Sequence, residues 1–363
     1  VNTLKKRCSL LFILFILLMP FMTSAASANS VVDGINTIES TEVTITTGLE
    51  DRVTTKADKL TFDLWAKDSD GNKIEASHVK VTNNGNPVAV NWDDSEKTSY
   101  TLQLEVGENK VEIVVDYNGK TYSAQYTLIR EEAEDGDVIG SFTFSLEAFT
   151  IGLGYVIEPV QVDITKGRRA SHELDALIKK YGYDYDHTGT LENSFYLSYL
   201  LDGTNNIYKS PPAIPQVLKE ALNGHYDEEN YHDGALGEFN FNSLSGWMYS
   251  VNNIFPNVGF ADYYLSDGDV MRVQYTIALG RDIGGGWDYN FFELVNKDAL
   301  TKKIAEINSS SEKEEYLSVK ELKEAYDHAL NVLQTVDATQ ANIDEALRQI
   351  ELAEEELTAP KAA

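Results

Sequence analysis

The stretch GWMYSVNN at 246–253, continued by FPNVGFADYYLSDGD at 255–269 and VMRVQYTIAL at 270–279, constrains the fold more than any other. Trp247, Tyr249 and Val251 alternate along a first strand, and Met271, Val273 and Tyr275 along a second. Each strand is therefore expected to turn one face to a core and the other to solvent. Asp267-Gly268-Asp269 marks a turn between them, because glycine accepts a positive φ and aspartate bonds its own backbone.

Three further textures divide the chain. Residues 29–40 read as a loosely ordered start. From 41 to 130, short alternating segments such as Leu60-Phe62-Leu64, Val111-Ile113-Val115 and Ala124-Tyr126-Leu128 are broken by DSDGN, NNGN, GEN and NGK. Six or seven strands at this spacing predict an antiparallel sandwich of the immunoglobulin or cadherin type. After an acidic linker at 131–139, residues 138–295 begin with alternating Phe142, Phe144 and Leu146. The chain turns at Gly152 and Gly154 and returns through Val160, Val162 and Ile164. Leu174, Leu177, Ile178 and Tyr181 at helical spacing, with Gly182 as a C-cap, predict a helix. Two strands, a helix and two strands make an α+β unit of β-grasp-like order. A long insertion at 183–245 separates the helix from the tryptophan strand. Over 297–358 the texture is helical: a first helix at Leu300, Ile304 and Ile307, a second opened by a capping box from Ser318 to Glu321, a third from about 340. This predicts a three-helix bundle.

Residues 140–286 resemble a bacterial extracellular domain of unknown function related to the C-terminal β-domain of the cobalamin carriers transcobalamin and intrinsic factor. The motifs are FSLEAFTIGLGYVIEPVQV at 144–162, the tryptophan strand, the FPNVG and DGD turns, and DIGGG at 282–286. The resemblance implies a binding domain rather than an enzyme, with a corrinoid or other small ligand as its partner. The vertebrate carriers hold cobalamin between this domain and a helical barrel that has no counterpart in the sequence here. Residues 297–358 resemble the FIVAR module of Gram-positive surface proteins, and the sandwich resembles bacterial surface spacers. Those resemblances imply a competing role as a wall-associated adhesive or spacer protein that meets a cell-wall or surface protein partner.

Lys5, Lys6 and Arg7, an apolar run from Leu10 to Met19 and small residues up to Ala28 read as a secretory signal over 1–28, so the mature chain is expected outside the cell. Removal of those three cations takes the formal charge from −28 to −31. That excludes nucleic acid and anionic membranes as natural partners. Cys8, the single cysteine, falls within the segment to be removed, which leaves no disulfide or thiolate metal site. No later stretch is apolar enough to insert in a membrane.

Catalytic patterns are missing: there is no GxSxG and no HExxH, and GRDIGGGW at 280–287 has no phosphate-loop lysine. His225, Asp227, Glu228, Glu229, His232 and Asp233 lie close in sequence but match no familiar ligand spacing, and a solvated loop accounts for them better. DSDGN at 68–72 reads as a hairpin turn rather than a calcium loop. No cofactor is called for. What remains is a wealth of aromatics, twenty tyrosines among them. The candidate ligand-binding residues are Trp247, Tyr249, Asn252, Phe255, Asn257, Tyr263, Tyr264, Gly284, Gly285, Gly286 and Trp287. Rigid rings with few torsions suit a flat or sugar-like ligand, and a closely spaced glycine run lets a backbone approach a neighbour or ligand. Core filling accounts better for Trp247 itself, whereas for Tyr249, Asn252, Phe255, Asn257, Tyr263 and Tyr264, at the strand end and loop, core and ligand roles stand level.

Overall fold

The computed structural model describes residues 36–358, apart from 41 and 94. The segment 1–28 expected to be a secretory leader, with Cys8, lies outside the described residues. Ten strands come first: β1 Asn36–Glu39, β2 Val43–Thr47, β3 Thr54–Thr55, β4 Lys59–Asp68, β5 Val79–Asn83, β6 Asn86–Val88, β7 Val90–Asp93, β8 Thr98–Gln103, β9 Gly107–Tyr117 and β10 Lys120–Arg130. They form two five-stranded sheets, ordered β1-β2-β4-β8-β7 and β3-β10-β9-β5-β6. Period-two alternation sends Ile45, Leu60, Phe62 and Leu64 inward from one sheet and Val81, Ile113, Val115 and Leu128 from the other, into one sandwich core. The start of this unit is more ordered than its composition suggests. Residues 36–39 pair antiparallel with β2, Asn36 opposite Thr47, so ladder hydrogen bonds order a segment whose own side chains give little signal. Asp68 holds the DSDGN turn by accepting from the Asp70 and Asn72 amides, both at 2.9 Å.

The second unit contains β11 Val138–Ala148, β12 Gly154–Thr165, α1 Ala170–Lys180, β13 Tyr183–Thr190, β14 Asn193–Asp202, α2 Gln216–Leu222, β15 Ala235–Gly237, β16 Gly246–Val251 and β17 Val270–Thr276. One sheet runs β12-β11-β17-β16. Its central pair, β11 and β17, is parallel, and an antiparallel partner flanks each. Segment 183–245, read from sequence as an insertion, contains a second sheet, β13-β14-β15, and α2. Phe195, Leu197 and Leu200 of β14 share one core with Leu174, Leu177 and Ile178 of α1 and with the inward residues of the first sheet. Gly182, at φ +78°, follows α1 in the left-handed conformation that a helix C-terminus favours.

Four helices complete the described chain: α3 Asp298–Ser309, α4 Lys313–Leu317, α5 Lys320–Gln334 and α6 Gln340–Thr358. Leu300, Ile304, Tyr326, Ala329, Leu333, Ile343 and Ile350 form their core. The expected capping box at Ser318 does not form. The short α4 consumes that position, Ser318 donates its hydroxyl back to the Glu315 carbonyl at 2.6 Å, and α5 starts after Val319. The reciprocal arrangement occurs instead at the next helix, where Thr339 Oγ1 accepts from the Asn342 amide at 3.3 Å and Asn342 Oδ1 from the Thr339 amide at 3.0 Å. None of the described helices is long and apolar enough to cross a membrane.

The expectation of a solvent-facing side on the tryptophan and DGD strands is overturned. All seven residues of β17 are buried. α3 packs along β12 and reaches β11 and β17, closing over the polar face of the sheet. Gln161 and Pro159 of β12 are hydrogen-bonded to Ser309 and Asn308 of α3, at 2.8 and 2.9 Å. Beneath it, Arg272 donates from Nε and an NH2 nitrogen to the two Glu147 carboxylate oxygens, at 2.8 and 2.7 Å. Ser145 and Gln274 complete the network. Polar alternation on these strands therefore marks a buried, charge-paired interface, covered by α3, which follows β17 in sequence.

Candidate functional site

The structure separates the sequence candidates into three environments. Trp247 belongs to the core: it is 4% exposed, its indole Nε1 donates to the Leu236 carbonyl at 2.9 Å, and it meets Tyr275 edge-on at 5.2 Å. Tyr249 is buried too, stacked on Phe260 at 4.1 Å with its hydroxyl on the Val258 carbonyl at 2.8 Å. Burial drives its phenol well above the usual tyrosine value. With every polar atom satisfied inside, these two side chains offer a ligand no surface, and their assignment as binding residues is corrected to a packing role.

A second group shapes the backbone. Asn252, at φ +51°, donates to Asp269 Oδ1 at 2.8 Å and accepts from the Val270 amide at 3.0 Å, tying the end of β16 to the DGD turn. Tyr263 is half-buried against Tyr249, and burial pushes its phenol up to about 12. Its carbonyl accepts from the first amide of α1. The glycine run is packed against its own neighbours. A Cβ on Gly285 would sit 2.9 Å from the Phe255 ring, one on Gly286 2.2 Å from the Tyr289 carbonyl, and Gly284 holds φ +87° beside Leu294. The close approach expected of these glycines is thus to Phe255, Tyr289 and Leu294.

The third group faces solvent. Trp287 is 86% exposed, and Asn257, Ile254, Tyr289 and Leu294 are exposed as well. Phe255, lying on Gly285, brings the turn after β16 up to the loop that carries Trp287. This loop is rigidly braced. Asp282 is buried and accepts from the Thr276 hydroxyl and from the Ile277 amide at 2.7 Å. Thr276 Oγ1 in turn accepts from the Gly280 amide at 2.8 Å. Arg281 pairs through two nitrogens with Asp288 at 3.0 and 2.9 Å, and its guanidinium lies 4.8 Å from the Tyr289 ring. Asp282, Arg281, Tyr289 and Leu294 were not singled out in the sequence. The one available signal was the opposite charge of Arg281 and Asp288 on either side of three glycines.

Tyr264 stands apart from this loop. It is 53% exposed, faces the Arg169 guanidinium at 5.2 Å, and lines a cleft against the sandwich. The acidic stretch around His225 to Asp233 is consumed by local bonds, with Glu228 paired to Lys219 at 2.8 Å and Asp227 accepting from the Glu229 amide at 3.0 Å. Among the described residues, no group of three or more histidine, cysteine or acidic side chains is placed to hold a metal ion.

Asp282 makes the loop sensitive to pH. Burial raises its carboxyl from 3.8 to about 6, against the opposing hydrogen bonds from Thr276 and Ile277. A folded-state pKa above the unfolded one gives stability that is full below pH 3.8 and is lost as pH rises through about 6. Protection of the Ile277 and Gly280 amides against hydrogen exchange should therefore fall by up to about a hundredfold between pH 4 and pH 7. Asp282→Asn should remove that dependence.

A family model described as a domain of unknown function (DUF4430) matches residues 221–276, which include the tryptophan strand, the aromatic loop and the DGD strand. No curated protein matches the chain. Similar solved structures include tandem immunoglobulin repeats of Dlar, at 13% identity and TM-score 0.22, covering 33% of this chain and 66% of that one. The titin immunoglobulin tandem A164-A165 matches at 9% identity and TM-score 0.19, covering 48% and 72%. An endo-fucoidan hydrolase of glycoside hydrolase family 107 matches at 10% identity and TM-score 0.20, covering 28% of this chain and 15% of its own. The chain thus spans a small fraction of the hydrolase and just under two thirds of the Dlar repeats, and at such TM-scores these likenesses carry no argument. The class defined by the chain's own strands and helices is a β-sandwich followed by a mixed-sheet unit and C-terminal helices. Within it, residues 221–276 match the DUF4430 family.

Proposed function

We propose that this is a secreted or cell-surface, non-catalytic binding protein that captures a flat ligand on the Trp287 loop, a corrinoid being the candidate that its resemblance to the transcobalamin-type domain supplies. The observation carrying this reading is Trp287: an indole 86% exposed on a loop fixed by Asp282 and by the Arg281–Asp288 pair. Ordering a loop around a ring left in water gains nothing for folding, whereas a ligand covering that ring, Phe255 and Leu294 would bury apolar area at about 25 cal/mol per Å2. The second unit is read as β-grasp-like on the strength of its two hairpins, parallel central strands and packed helix. The C-terminal helices are read as a FIVAR-like three-helix bundle with the short α4 interposed.

Equilibrium titration with cobalamin, followed by visible absorbance, tests the reading. The full mature chain is required, since a fragment ending near 295 would strip α3 from Arg272 and Glu147. Saturable binding that Trp287→Ala weakens at least about tenfold, with unfolding unchanged, is the expected result. Absence of binding to cobalamin and to incomplete corrinoids would remove the corrinoid. An adhesive role would show instead as retention on isolated cell walls that depends on Trp287.

A further inference from the structure

In a chain whose acids outnumber its lysines and arginines 58 to 30, one cleft reverses the balance. It lies between the sandwich and the second unit and has a volume of about 240 Å3. Lys56, Lys59, Arg130, Lys166 and Arg168 line it against a single carboxylate, Asp58. Both units build it: the β3–β4 connection and the end of β10 on one side, the turn after β12 and the segment before β17 on the other. The linker is bound to both walls, with Glu131 N on the Thr55 carbonyl at 2.8 Å, Lys56 on Asp137 at 2.8 Å, and Lys166 N on the Asp137 carbonyl at 2.8 Å. The cleft is therefore held at a defined width.

Its cations are unequally satisfied. Lys56 is paired with Asp137, and Arg168 Nε with Glu173 at 2.6 Å. Lys166 donates to the Ala133 carbonyl, a neutral partner. Arg130 donates from one terminal nitrogen to the Leu104 carbonyl at 2.8 Å, while its Nε is shielded from solvent with no acceptor. The Lys59 ammonium has no direct hydrogen-bond or ion-pair partner among the described residues, and Asp269 acts on it only through the field. Three positive charges thus share a concave wall with no carboxylate in hydrogen-bond contact among the described residues, Asp137 likewise reaching Lys166 only through the field, which concentrates positive potential there and favours an oxyanion. Tyr264 also lines the cleft, more than half exposed, with the Arg169 guanidinium 5.2 Å from its ring. An aromatic ring beside a cationic recess suits a sugar ring bearing an acid.

We infer that this cleft binds an acidic saccharide, its carboxylate or phosphate lying between Lys59, Arg130 and Lys166 and its ring against Tyr264. The site is separate from the Trp287 loop and does not depend on the reading given to that loop. Calorimetric titration of the full mature chain at low ionic strength, with glucuronic acid, glucose 6-phosphate, glucose and inorganic phosphate, provides the test. Both acidic sugars should bind saturably, and glucose should not. Lys59→Glu and, separately, Lys166→Gln should weaken the acidic sugars at least about tenfold, while Lys120→Glu, an equal charge change at the exposed end of β10 opposite Arg130, should leave them within about twofold. Tyr264→Ala should weaken the sugars and spare inorganic phosphate. The proposal fails if neither acidic sugar saturates by about 20 mM, or if Lys120→Glu weakens binding as much as Lys59→Glu. It fails as a saccharide site if Tyr264→Ala leaves glucose 6-phosphate binding unchanged.

Discussion

Glu147→Ala is expected to destabilise the second unit by about 3–5 kcal/mol, seen as a lower urea midpoint. The carboxylate and the Arg272 guanidinium are almost wholly withdrawn from solvent, with side-chain exposures of 2% and 7%. Glu147 holds the arginine protonated, raising its affinity for the proton above the ordinary value against the penalty of burial. Removal of the acid leaves a guanidinium that can neither lose its proton nor reach water, with Gln274 Oε1 at 3.2 Å as its one remaining hydrogen-bond acceptor among the described residues. That uncompensated charge, rather than the intrinsic worth of the pair, sets the size of the loss. Glu147→Leu combined with Arg272→Met should therefore cost far less than Glu147→Ala alone. If the double variant were as unstable as the single one, the loss would have to be assigned to packing of β11 and not to charge. The same substitution should loosen α3, whose Asp298 carboxyl shares the buried site and is pushed up to about 6 by burial.

How much of this was legible in the sequence depended on the range over which each signal acts. Alternation within one strand is local, so the sandwich strands and the inward set Trp247, Tyr249 and Val251 could be read directly. What lies opposite the outward set is a long-range fact. Ser250, Arg272 and Gln274 look solvent-facing on any local criterion, and only the docking of α3 makes them interior. Capping showed the same limit: Ser318 and Glu321 have the right spacing, but the one-turn α4 upstream claims Ser318 first. In the candidate site, aromatic richness does not distinguish a ring that fills the core from one that stands in water. Trp247 and Trp287 have the same chemistry and differ in the strand or loop that carries them. Asp282 was hidden because a single acid before three glycines has many roles in sequence and only one, anchoring the 276–280 backbone, once the turn is closed.

Those two tryptophans should respond in opposite ways. Trp247→Ala should cost about 3–5 kcal/mol, because it empties the largest side chain of β16 from the core and leaves the Leu236 carbonyl and the Tyr275 ring without their partner. The cavity cannot close easily, since β16 is fixed in register on β17, with Trp247 opposite Tyr275. Trp287→Ala should change stability by no more than about 0.5 kcal/mol, as expected for a solvated side chain. Chemical unfolding followed separately from ligand titration distinguishes the roles. Loss of binding in Trp247→Ala should track the fraction unfolded and recover wherever the fold does. Loss of binding in Trp287→Ala should persist in a fully folded protein. A Trp287→Ala variant as destabilised as Trp247→Ala would mean that the loop is packed against something on folding, and the exposed indole would no longer argue for a ligand. Conversely, a folded Trp247→Ala protein with selectively lost binding would return that residue to the site from which its burial removes it.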